Sequence, residues 1–171
     1  MFNIGDTVLY DMWSVCKIVG TEEQEINNST ASYYLLQPVF EQDTTLYVPQ
    51  NNTVLLGKMR PLLSESQAEE ILASLPHAEL IWIEDERLRQ QRYQEIITHG
   101  DRKELSSLIR TLYLHREKQQ KSGRRLHISD ENAFHQAKEL LFRELAFVSG
   151  VTPKEIENKL SASANKCNVF D

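Results

Sequence analysis

The apolar residues of this chain change their period once, near residue 60, and that change constrains the fold more than any other feature. Before it, short runs rich in Val, Ile, Leu, Tyr and Thr ("DTVLY", "SVCKIVG", "SYYLLQPV", "TTLYVP" and "TVLLGKM") are separated by polar breakers such as "EINNST" and "EQD". Branched and aromatic side chains in such runs suit pleated, half-buried strands. Several short strands at this spacing predict a small antiparallel β barrel. Pro49 has no N–H to give to a ladder, so it should end the fourth strand or lie on an edge.

After residue 60 the period is helical. Ser66 with Glu69 reads as a capping box for a short helix that Pro76 stops. A second helix is expected from Glu79 or Glu84 to about Thr98, ending near Gly100. Asp101 with Glu104 opens a third, on which Leu105, Leu108, Ile109, Leu112 and Tyr113 form one apolar face. Gly123 should close it. Ser129 reads as the cap of a fourth helix, with Ala133, Ala137, Leu140, Leu141, Leu145 and Val148 turned inward and Gly150 at its end. "TPKE" at 152 to 155 is a further capping box, with Pro at the first helical position. The expected class is therefore α+β: a barrel over 1–60, a helical bundle over 61–161 and a flexible tail over 162–171.

Charge is distributed unevenly along these parts. The chain as a whole carries −6, yet 61–86 carries seven acidic and no basic groups, while 87–128 carries 11 basic and 4 acidic. An acidic protein that holds a polyanion at one place needs such an asymmetry. A solvated helix face with surplus Arg and Lys would look the same. No run approaches the length needed to span a bilayer, and the start of the chain lacks a signal-peptide pattern, so a cytoplasmic protein is expected. Cys16 and Cys167 form no CxxC pair, which suits reduced thiols in that compartment.

Catalytic patterns are missing. The five His residues show no HExxH spacing, and GxSxG, GxGxxG and phosphate-loop motifs do not occur. No enzyme, cofactor or metal is expected, although a hydrolase with residues gathered from distant positions has no signature to find. What remains is binding chemistry. Arg87, Arg89 and Arg92 follow the acidic triplet 84 to 86, with Arg89 and Arg92 three apart on one helix face. Lys103, Arg110, Lys118 and Lys121 form a basic stripe on the third helix. Lys121, Arg124 and Arg125 cluster where the backbone turns in "KSGRRLH". These groups suit phosphate contacts, which position a protein on DNA without reading its sequence. Trp82, ahead of this basic run, is either a partly buried staple or an aromatic wedge for distorted DNA.

The ordered set "FNIGDTVLY", "LYVPQNN", "LIWIEDERLRQQRYQEIITHGD", "LIRTLYLHREKQQKSGRRLHISDENAF" and "AKELLFRELAFVSG" resembles the CarD (CdnL-like) bacterial transcription regulators over about 1–150. The first part is also similar to the polymerase-interacting module of transcription-repair coupling factor. The resemblance implies a Tudor-like barrel that docks on the β subunit of bacterial RNA polymerase, with Thr45, Tyr47, Val48 and Glu25 at the contact. It implies a helical domain at the upstream edge of the transcription bubble, where Trp82 wedges at promoter DNA. Arg87, Arg89, Arg92, Lys121, Arg124 and Arg125 would hold phosphates there. Two positions depart from the family pattern. Tyr47 stands where many members carry Arg before Val-Pro, and "EEQE" at 22 to 25 replaces a region with a basic residue. Polymerase contact is then expected through strand pairing at a barrel edge, which uses backbone groups. The alternative is a polymerase-bound adaptor that has lost DNA binding.

Overall fold

The computed structural model of the chain describes residues 2–26 and 29–164, which divide into two compact units, one up to Leu62 and one from Leu63 onward. The first is a five-stranded antiparallel sheet in the order β4-β3-β2-β1-β5. Its strands are β1 (Thr7–Tyr10), β2 (Val15–Ile26), β3 (Ser29–Pro38), β4 (Leu46–Pro49) and β5 (Met59–Pro61). Val8, Cys16, Ile18, Leu36, Val48 and Met59 fill its core, with Trp13 packed partly against them. Cys16 is a free thiol that burial pushes up to about 12, far from a reactive thiolate. Cys167 lies outside the described residues.

Two expectations change in this unit. "TVLLGKM" is not a strand: α1 (Thr53–Gly57) forms there, and only its end becomes β5. The cause is local. Asn52 Oδ1 accepts from the N–H groups of Val54 and Leu55, both at 3.1 Å, and this cap outweighs the strand preference of the short apolar run. α1 touches both β4 and β5, the two edge strands of the sheet. β2 is also longer than expected, because "EEQE" continues it. Glu25 faces Thr30 and Glu22 faces Tyr33 in the β2–β3 ladder. Glu22, Glu23 and Glu25 are exposed, so their charges stay hydrated while the backbone pairs.

The second unit is helical: α2 (Glu65–Ser74), a 3-10 turn Leu75–His77, α3 (Glu86–His99), α4 (Arg102–Lys121), α5 (Ile128–Ser149) and α6 (Pro153–Ala164). The expected inward faces of α4 and α5 meet, burying Leu105, Leu108, Ile109, Leu112, Tyr113, Ala137, Leu141 and Leu145 in one core. Several caps shift by a residue or two. The box on α2 joins Ser64 to Gln67, not Ser66 to Glu69. α5 begins after His127, and the Ser129 hydroxyl instead bonds to Gln90 and His127. Thr152 and Glu155 do form a reciprocal box. α6 continues to Ala164, so part of the expected tail is helical; 165–171 lie outside the described residues.

Candidate nucleic-acid interface

Trp82 does not start a helix. It lies in the irregular segment between the Leu75–His77 turn and α3, whose N-cap is Asp85. Its ring packs partly against the helical core and stacks on His115 of α4, with centroids 3.5 Å apart and planes 16° from parallel. The Arg89 guanidinium carbon lies 4.3 Å from the Trp82 ring centroid. The neighbouring backbone is tied down on both sides. Ile81 N–H donates to Thr111 Oγ1 at 3.0 Å, and Arg89 Nη1 donates to the carbonyls of Ile83 and Glu84 at 2.8 and 3.2 Å.

Arg89 is therefore not at the surface. It is 6% exposed and forms a two-pronged ion pair with Asp130 of α5, Nε to Oδ1 at 3.0 Å and Nη2 to Oδ2 at 3.1 Å. Its Nε, Nη1 and Nη2 groups all donate inside the protein, whereas the sequence predicts a phosphate contact. Removing one partner of such a buried pair costs about 3–5 kcal/mol, because the other charge stays buried without compensation. Burial, followed by the nearby Lys118, holds the His115 imidazole below its ordinary pKa. The ring under Trp82 is thus neutral at physiological pH.

A cleft of about 480 Å³ opens beside this stack, lined by Trp82, Arg89, His115, Gln119, Arg125 and Ile128 among others. Arg125 arrives there because α4 ends in a turn at Ser122 and Gly123, with Arg124 N–H bonded back to Gln119 O at 2.8 Å. Ile128, at the start of α5, is 77% exposed and gives the cleft an apolar rim. Arg87, Lys121 and Arg124 are exposed but do not line it. Arg92 is committed in part: it pairs with Glu104 and, at 3.5 Å, with Glu95. Arg110, assigned above to the basic stripe, donates to Ala78 O and braces the segment ahead of Trp82.

His115, Gln119, Thr111 and Asp130 escaped the sequence reading. His115 carried a usable signal, because it continues the Leu108, Leu112 series at the next helical step and so falls at the end of a buried stripe. Asp130 carried none, since it is 41 residues from Arg89. Among the described residues, no group of three or more His, Cys, Asp or Glu could hold a metal ion. No described helix is long and apolar enough to cross a membrane.

In the first unit, β4 pairs, among the described residues, with β3 alone and forms one edge of the sheet. Tyr47 points outward, 50% exposed, with its ring edge-on to Tyr33 at 6.4 Å. Thr45 and Glu25 are exposed. Val48 is different: its side chain is fully buried in the sheet core. Its backbone lies on the edge, where the expected strand pairing would use it.

Comparison with known proteins follows the same division. The family model described as the CarD-like/TRCF RID domain matches residues 2–63, and the model described as the CarD C-terminal domain matches residues 68–161. The chain is similar to a protein of Bacillus subtilis (strain 168) named "Putative transcription factor YdeB", with 27% identity over 165 residues, covering 92% of this chain and 99% of that protein.

Proposed function

Because the chain belongs to the CarD family of transcription regulators, we propose that it binds bacterial RNA polymerase through its sheet and prolongs the promoter open complex through its helical unit. The polymerase-interacting character of the first match supports the first half, and an open β4 edge bearing Tyr47 is a surface that can take an added strand. Thr45, Tyr47, Glu25 and the backbone of Val48 are the contacts in this reading, with the β subunit as the docking site. The family's regulators are non-catalytic, and this one acts in the cytoplasm, where the polymerase and nucleoid are.

The observation that carries the second half is that Trp82 and Arg125 line the same cleft. Trp82 meets the upstream edge of the bubble, while Arg87, Lys121, Arg124 and Arg125 neutralise phosphates and release counterions. Arg92 joins them only by giving up Glu104. The effect is differential binding: a protein that contacts melted promoter better than closed promoter shifts that equilibrium by the difference in affinity. A difference of about 1.4 kcal/mol raises a scarce open complex about tenfold. The net negative charge of the chain keeps it from holding DNA unaided, so the polymerase supplies the address.

The internal commitment of Arg89 and Arg110 favours one second reading, an adaptor on the polymerase that does not touch DNA. Permanganate oxidation of unpaired promoter thymines, with polymerase and with or without this protein, separates the two. Stronger reactivity at the upstream bubble edge supports the open-complex reading. Unchanged reactivity, with the protein still retained on polymerase, supports the adaptor.

A further inference from the structure

Two contacts on the Trp82 ring and three hydrogen bonds to the backbone beside it hold this segment. Arg89 lies against the Trp82 ring and ties down the two carbonyls that follow it, those of Ile83 and Glu84. Its remaining donors grip Asp130 across the bundle. Thr111 holds the N–H of the preceding residue, and His115 backs the ring from the same helix. A free loop of this kind would sample many conformations, and ordering it on contact with DNA would cost conformational entropy. Here that ordering is complete before any partner arrives.

We propose that Arg89, locked by Asp130, is a positioning residue that presets the Trp82 segment, and that it acts on promoter DNA only through Trp82. This rests on the function proposed above. It reassigns the most central Arg of the basic run from the phosphate backbone to the protein interior. It also gives Asp130, Thr111 and His115 a shared purpose, which is to fix the ring and backbone of a single aromatic residue.

Two readouts test it. The first uses the free protein in a Trp13→Phe background, which leaves Trp82 as the single tryptophan of the chain. Arg89→Met alone leaves Asp130 buried without a partner, so the main variant combines Arg89→Met with Asp130→Leu, a replacement of a buried pair by apolar groups that cores commonly tolerate. It keeps the bundle filled and removes the hydrogen bonds to Ile83 and Glu84. With helical circular dichroism retained, acrylamide quenching of Trp82 should rise by at least about twofold, as expected of a segment released from its anchor. Unchanged quenching overturns the proposal. The second readout is open-complex lifetime with polymerase. The double variant should shorten it to the level of Trp82→Ala, and adding Trp82→Ala to the double variant should cause no further loss. Additive losses, or a lengthening of lifetime that becomes less salt-dependent in the double variant as a lost phosphate contact requires, overturn it. If the unmodified protein leaves the lifetime unchanged, the open-complex reading fails, and quenching alone then decides whether Arg89 positions Trp82.

Discussion

At the scale of the residue, His115 shows how the stack ties stability to protonation. Its folded pKa lies below its unfolded value, chiefly through burial, with Lys118 adding to the effect and Glu84 and Asp130 opposing it. The unfolded chain therefore binds a proton that the folded one refuses as pH falls past about 6.5. The helical unit loses stability over that window, from the unfolded pKa down to the folded one, and gains nothing from His115 above it. Replacing His115 with Gln removes the titration. The difference in thermal midpoint between about pH 7.5 and about pH 5.5 should be smaller in the variant, as followed by circular dichroism. An equal difference in both proteins would mean that the imidazole takes up its proton in place. Arg89 teaches a related lesson about legibility. Its neighbours in sequence made it look like one of a row of phosphate contacts, and its pairing with Asp130, far along the chain, was not legible there.

At the scale of the element, what was readable followed the strength of the repeat. α4 and α5 carry long apolar stripes, and each residue read as inward is buried or packed on the core. α1 is five residues long and too short to show a period, so its Val and Leu content pointed to a strand while the cap at Asn52 decided for a helix. The helix ends at Gly100 and Gly150 were readable because a left-handed residue must follow the last turn, and both adopt it, with φ of 64° and 66°. Nothing lies within 4 Å of where a Cβ at Gly150 would stand, so its requirement is purely one of backbone. Gly150→Ala should then lower stability by about 1–2 kcal/mol in urea, with an unchanged slope. A neutral outcome would mean that the α5–α6 turn can rearrange.

At the scale of the whole molecule, the proposed function would divide the work between the two units, address for one and action for the other. The sheet offers an edge strand with exposed Tyr47, and the helical unit offers Trp82 in a cleft with Arg125, with Arg87 and Arg124 exposed elsewhere on it. Neither surface needs a cofactor in this account, and neither has to be strong. Retention on polymerase would raise the effective concentration of the helical unit at the promoter, so weak contacts would suffice there. The division into a strand-period part and a helix-period part was legible from the change near residue 60. The side-chain orientation of Val48 was not, because an alternating run of four residues does not say which face is inside. The measurement that bears most directly on the central claim is the lifetime of promoter open complexes challenged with competitor, formed with polymerase alone, with this protein, and with Trp82→Ala of native circular dichroism. The account predicts a longer lifetime with the protein and a return to the polymerase-alone value with the variant. Equal lengthening by both would contradict a role for Trp82 at the bubble edge.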